Sequence, residues 1–396
     1  MKNTLKRAAQ YIKDAYLELG INERFVLISV IFVFIPVNVS SVTTAALLFY
    51  LMTYPENRAK IASVPRVKFL AAWAVLAMAA GISCGNFLGD SFFLFYVCFV
   101  AFSCFAFAVM TRRLCERFLQ LILLLSWPCF IVAIVQMLIF PHVRPVSTFY
   151  NANYYGFICE LLILAAIFGF TRYKTFRKYY VVSGIMNAAG LVISGCRSAW
   201  PAVLVGAIIL FAVGGRKKDF FYAIVIGAAA AAVFLLHPSL IPRFDSLTST
   251  KSLRVSIWST AWDGFLKRPV IGGGFMRYWQ ISADLGHRMH QPHAHNMLLN
   301  ALLCYGVAGV SLQMCFIVPA AASCIKRLKT RPECAMVLAA IAAIVAHGVT
   351  DDPILGMQTG IFAMLFMTLG GARPETPETQ PVKISDGTCP QRHDAV

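Results

Sequence analysis

The feature that most constrains this chain is a succession of apolar runs, separated by short basic loops. Many are roughly 17–25 residues long, the length a helix needs to cross the hydrocarbon of a bilayer. Composition points the same way: 59% of residues are hydrophobic and 13% charged, where soluble domains carry about 25% charged residues. Two soluble domains would fit 396 residues by length alone, but not this composition. The expected fold is an all-α polytopic membrane protein with the helix bundle as its core.

Basic residues set the expected topology. The run at 25–52 reads either as one helix or as two short ones broken near Pro36, Asn38 and Ser40. Basic clusters lie on both sides of it, so a hairpin keeps both in the cytoplasm. Ten further spans are expected at 69–87, 91–110, 118–140, 155–171, 179–195, 199–213, 220–236, 296–325, 335–349 and 354–370. That makes twelve, with both termini inside. Of the 35 Lys and Arg, 26 then fall on the cytoplasmic side and 9 outside. Seven of the nine sit in one long loop, leaving Arg144 and Arg197 as the exceptions. The expected organisation is a cytoplasmic amphipathic segment (1–24), nine spans (25–236), a large external loop (237–295) and three spans (296–371). A Pro-, Thr- and Glu-rich tail of disordered composition (372–396) follows.

A formal charge of +17 does not imply nucleic acid here, because the cations lie in short clusters between spans. Most of the twelve cysteines, Cys98, Cys104 and Cys159 among them, lie within apolar runs as small hydrophobes. Without a Cys-x-x-Cys pair, neither a disulfide framework nor structural zinc is expected.

Polar chemistry concentrates between 237 and 296, which holds Trp258, Trp262, Trp279 and five of the eight histidines. Its seven basic residues against three acids suit a phosphate-bearing substrate. An enzyme site outside the membrane lacks ATP and nucleotide sugars, so its substrate must bring its own activated bond. Arg197, in SGCRSAWPA, reads either as a snorkelling anchor beside Trp200 or as a phosphate clamp. Arg254 shares helical spacing with Trp258, Ala261, Trp262 and Phe265, so anchoring and substrate binding both fit it. The turn Pro269 to Gly274 ends that helix and lets backbone approach closely.

His287, His290, His293 and His295 crowd into nine residues. They lack cysteine partners and regular His-x₃-His spacing, so no metal is expected. His295, beside Asn296 at the mouth of a helix, is the best placed general base. Glu160 lies inside an apolar span and needs a partner, for which Arg197 is the candidate. Asp351 and Asp352 are expected to form an acidic external turn. Asn153, Glu160, Asn296 and Asp351 complete the supporting candidates.

Four stretches in order carry a resemblance: FYNANYYG (149–156), SGCRSAW (194–200), RVSIWSTAWDGFLKRPVIGGGF (254–275) and PHAHNMLLNALLCYGVAG (292–309). Together the chain resembles the O-antigen ligase and O-antigen polymerase superfamily, multispan bacterial enzymes with one large periplasmic loop. The resemblance implies inverting, metal-independent and cofactor-free glycosyl transfer at the periplasmic face of the inner membrane. The implied donor is a glycan on undecaprenyl pyrophosphate. The implied acceptor is a sugar hydroxyl, on lipid A–core in ligases and on another lipid-linked glycan in polymerases. By the same resemblance Arg197 and Arg254 hold the pyrophosphate, and His295 deprotonates or orients the acceptor. The usual first arginine motif begins Ser-Arg; here Gly195 and Cys196 separate Ser194 from Arg197.

Some polymerases repeat an external Arg followed by Gly eleven residues on. Here the eleventh residues after Arg197, Arg254 and Arg277 are Ile208, Phe265 and Arg288. That motif is absent, and chain length and the single dominant loop lean towards ligase. A transporter, the reading from another class, would place its polar sites at the bilayer midplane on broken helices.

Overall fold

The computed structural model describes residues 18–36, 39–237, 247–284 and 292–374. In chain order the helices are α1 (Ile21–Val33), α2 (Val39–Met52), α3 (Pro55–Ala62), α4 (Val67–Ser83) and α5 (Phe87–Val109). Then come α6 (Arg112–Ile139), α7 (Ala152–Arg172), α8 (Arg177–Ser194), α9 (Ala199–Val213) and α10 (Lys217–Leu236). The last are α11 (Leu247–Lys267), α12 (Arg277–Asp284), α13 (Met297–Arg327), α14 (Glu333–Gly348) and α15 (Met357–Thr368). The described residues hold no strand, only an isolated bridge between Thr111 and Arg373. The protein is all-α.

Local sequence explains where the long helices start. Asn86, Thr111, Asn151 and Asn296 each precede an apolar run, and their side chains accept the backbone N–H of Gly89, Leu114, Tyr154 and Leu299. Each satisfies a donor that a helix N-terminus leaves orphaned, worth about 1 kcal/mol. Helix α7 is apolar on every side and accordingly sits inside the bundle, packed against α6, α8, α9 and α14.

Among the described residues, four helices are long and apolar enough to cross a membrane: α5, α6, α7 and α13. The pair α3 and α4, bent by 93° at a short break, would make a fifth. Twelve spans were expected, and the difference lies mainly in short helices. The run at 25–52 does break at Pro36, into helices of 13 and 14 residues. At 1.5 Å per residue such helices rise only about 20 Å, against about 30 Å of hydrocarbon.

The arm between α11 and α12 is joined to α13 by an exchange of backbone hydrogen bonds. Gly306 interrupts α13 at φ 61° and ψ −175°. A regular helix would bond Val307 and Ala308 N–H to the Leu303 and Cys304 carbonyls. Instead Val307 and Ala308 donate to the Pro269 and Val270 carbonyls at 2.8 and 3.0 Å. The Leu303 and Cys304 carbonyls accept from Gly273 and Gly274 at 3.1 and 2.8 Å. All four of these groups thus find a partner, as buried backbone must. Gly272 and Gly306 both have positive φ, and a Cβ on either would strike the opposite backbone. The close approach expected of Pro269–Gly274 is therefore real. The Asn86 side chain adds a hydrogen bond to the Phe275 carbonyl at 2.7 Å.

The helix expected around Arg254 to Phe265 is α11. Its Ile257 and Ala261 are buried with Tyr278, Ala294 and Leu303, so this face is covered by α12 and α13. Trp262 stays exposed. The N-terminal segment up to residue 17, the tail from 375 and the loop stretches 238–246 and 285–291 lie outside the described residues, and with the last go His287 and His290.

Candidate active site

Three chain segments far apart in sequence meet at one end of the bundle. The first is the turn between α8 and α9. Gly195 at φ 61° ends α8. Ser194 Oγ accepts the Cys196 N–H at 3.2 Å and donates to the Leu191 carbonyl at 2.7 Å, so this serine shapes the turn. Gly156 of α7 makes room for it, since a Cβ there would collide with Cys196. Ser198 Oγ meets Thr350 Oγ1 at 2.7 Å, tying the turn to the segment after α14. Arg197 projects from this turn, half-buried.

The second segment is α11, which contributes Arg254. The third is the entry to α13. His295 has φ 48°, a left-handed conformation uncommon outside glycine. Its N–H donates to His293 Nδ1 at 3.1 Å and its carbonyl accepts from Trp258 Nε1 at 3.2 Å. Asn300 Oδ1 accepts the preceding N–H, of Ala294, at 3.3 Å. Such backbone strain persists only where neighbours over-determine it, and it clusters at functional sites.

These segments enclose a cavity of about 140 Å³ lined by Arg144, Asn153, Cys196, Arg197, Ser198, Leu253, Arg254, Ile257 and His295. The structure thus brings together Arg197, Arg254, His295 and Asn153. Asp351 lies directly behind. Its Oδ1 is 3.0 Å from His295 Nδ1 and 3.6 Å from His293 Nε2, and its Oδ2 accepts from Asn153 Nδ2 at 2.8 Å. Burial opposes its charge, but the His295 hydrogen bond and the two imidazoles win and hold the carboxyl below its ordinary range. Burial pushes His293 down to about 4, keeping it neutral. The neighbouring Asp352 is pushed up to about 7 by burial, against the hydrogen bond from Asn300 Nδ2 at 2.7 Å.

Several expectations need correction. Asp351 and Asp352 do form the turn before the last helix, and both are buried in it, because the helix ends around them supply hydrogen bonds. Glu160 does not look to Arg197 for its partner. Its Oε2 is 2.6 Å from His347 Nδ1, buried between α7 and α14. Asn296 is a helix cap whose Nδ2 donates to the Val349 carbonyl at 2.9 Å. The histidine spacing offered no metal set, yet folding brings one candidate together. Ligand atoms of His293, His295 and Asp351 lie within 4.8 Å of one another, since Asp351 arrives from a distant segment.

Arg144 was missed as a site residue. Its Nε donates to the Ser194 carbonyl at 2.8 Å and its Nη2 to Asn153 Oδ1 at 2.7 Å. One side chain thereby links the Arg197 turn to the Asn153–Asp351–His295 chain. Its signal was its place as one of only two cations that the expected topology left as exceptions.

Arg197, Arg254 and His295, which the resemblance implied would share a site, line one cavity, and Asp351 stands behind His295. Residues 182–314 match the O-antigen ligase family. That segment contains Arg197, Arg254 and His295 and three of the four stretches whole, so the superfamily resemblance is shown there. FYNANYYG and Asp351 flank the O-antigen ligase segment on either side. No curated protein matches the chain significantly.

Proposed function

We propose that this protein is a multi-pass inner-membrane glycosyltransferase of the O-antigen ligase type. It moves a glycan from undecaprenyl pyrophosphate to a sugar hydroxyl of lipid A–core at the periplasmic face. The observation that carries this reading is the convergence of Arg197, Arg254 and His295 on a single cavity. In the proposed topology there are twelve helical passes, both termini are cytoplasmic and the loop 237–295 is periplasmic.

The chemistry follows from the residues. Asp351 accepts the Nδ1 proton of His295, which fixes the tautomer and leaves Nε2 as the base. The acceptor hydroxyl gives its proton to Nε2 while its oxygen attacks the anomeric carbon from the face opposite the leaving group. The bond from that carbon to the pyrophosphate oxygen breaks with inversion. Undecaprenyl pyrophosphate departs with its new charge held by the guanidinium groups of Arg197 and Arg254. Arg144 binds protein groups on two sides, which suits a frame for the pocket. Because two arginines can stabilise the leaving group, the reaction needs no metal, and Asp351 is already engaged by Asn153 and His295.

Reconstituted protein with the lipid-linked donor tests the reading directly. Transfer to lipid A–core, surviving EDTA, is the expected result. Transfer only to a second lipid-linked glycan would make the protein a polymerase. EDTA loss restored by zinc would reassign His293, His295 and Asp351 as ligands. Translocation of labelled lipid without any transfer would favour the transporter reading.

A further inference from the structure

Inside the bundle, Glu160 of α7 and His347 of α14 meet at 2.6 Å, with side chains 0% and 1% exposed. The second ring nitrogen meets the turn between α8 and α9: His347 Nε2 lies 3.9 Å from Cys196 Sγ. Cys196 lines the cavity and immediately precedes Arg197. Phe157 packs against the His347 ring edge to face. The second carboxylate oxygen, Glu160 Oε1, has no hydrogen-bond partner among the described residues.

Stability does not account for such a pair. Desolvating two ionisable groups is costly, and apolar side chains of similar volume commonly serve a core as well or better. Ionisable groups inside a membrane bundle generally mark function. Neither residue lines the cavity, yet His347 touches Cys196, which does. The carboxylate lies deep, and the imidazole lies next to the turn that carries Arg197.

We propose that Glu160 and His347 are positioning residues for the donor phosphate site. They hold the Cys196–Arg197 turn from beneath and direct the positive end of a buried dipole at the pyrophosphate. The ligand class is a lipid pyrophosphate, and the inference rests on the glycan-transfer reading above. Preorganised dipoles aimed at developing negative charge need no reorganisation during reaction.

The test uses the full-length protein in lipid nanodiscs. A double variant, Glu160→Met with His347→Leu, replaces the pair by apolar groups, and its thermal midpoint reports folding. The donor KM is expected to rise by about ten- to a hundredfold, the range over which outer partners tune a site, with acceptor KM unchanged. A folded double variant with unchanged donor KM overturns the proposal. Should that variant fail to fold, Glu160→Gln, which keeps shape and a hydrogen bond, carries the same comparison.

Arg197→Lys is assayed alongside. If it also leaves donor use unchanged, the glycan-transfer reading falls on its own account. A second readout needs no donor: alkylation of Cys196 by N-ethylmaleimide, followed by mass spectrometry. Loss of the pair should loosen the turn and speed this alkylation by about tenfold. An unchanged rate in a folded variant would overturn the positioning role even without measurable transfer.

Discussion

At the scale of single residues, the proposed mechanism divides two tasks among three side chains. Arg197 and Arg254 line the cavity from different elements, and the pyrophosphate they are assigned is present in the bound donor. Arg→Lys at either position keeps the charge but loses paired-donor geometry, so both donor binding and turnover should fall. His295→Ala should leave donor binding near normal and lower turnover by about 10²–10⁴-fold if the imidazole is the general base. Donor binding and single-turnover transfer on the same solubilised variants check this. A His295→Ala enzyme with near-normal transfer would remove the histidine from the mechanism.

The buried neighbours predict a pH signature. His293 is lowered from 6.5 to about 4 by burial. Between those values the unfolded chain binds more protons, so this residue makes stability rise with pH. Asp352 is raised from 3.8 to about 7 by burial. There the native state binds more protons, so it makes stability fall as pH rises. The two oppose each other between about pH 4 and 6.5. Relative to the unmodified protein, His293→Asn should tilt the stability profile downward with rising pH, and Asp352→Asn should tilt it upward. Each slope changes by at most about 1.4 kcal/mol per pH unit. Thermal melts across this window read the effect, and parallel profiles for all three proteins would refute it.

At the scale of elements, the break in α13 at Gly306 holds the loop arm to the membrane bundle. The arm Pro269–Gly274 follows the helix bearing Arg254, and α13 begins just after His295. The four exchanged hydrogen bonds therefore keep arginine and histidine in register across one cavity. Gly306→Ala would force a Cβ into the Val270 carbonyl at a positive φ. A left-handed non-glycine residue costs about 1–3 kcal/mol, and the clash adds to it. Expected outcomes are a lower thermal midpoint and lost transfer. Gly264→Ala in α11 is the comparison: a Cβ there meets only side-chain ends, of Ile281 and Leu303, so the effect should be smaller. Equal melting of both variants would sink the arm argument.

At the scale of the whole molecule, the proposed topology fixes how many helices cross and which face carries the cavity. Basic-residue counts favour twelve passes with the loop outside, while length and apolarity qualify four or five of the described helices. Short helices such as α9 and α14 pack against α7, and a bundle can carry short members that would not span alone. An added cysteine replacing Ser246 should react with an impermeant thiol reagent in intact cells, with native thiols blocked. One replacing Lys217, at the start of α10, should not. The reverse pattern would invert the protein in the membrane and place the cavity in the cytoplasm.

What the sequence alone determined was everything governed by near neighbours in the chain. Apolar runs made the protein helical, Asn and Thr before those runs placed helix starts, and Gly195 and Gly272–Gly274 marked turns. Arg197, Arg254 and His295, which line one cavity, could be singled out because each sits in a compact motif with a chemically scarce side chain. Tertiary structure alone decided what those side chains meet. Asp351 reaches His295 across 56 positions and Asn153 across 198, and His347 reaches Glu160 across 187. No local pattern encodes such pairings, since they depend on which helix faces pack together. In an apolar bundle each buried polar group must find whatever partner that packing supplies. Glu160 therefore found a histidine on α14 and not the arginine expected for it.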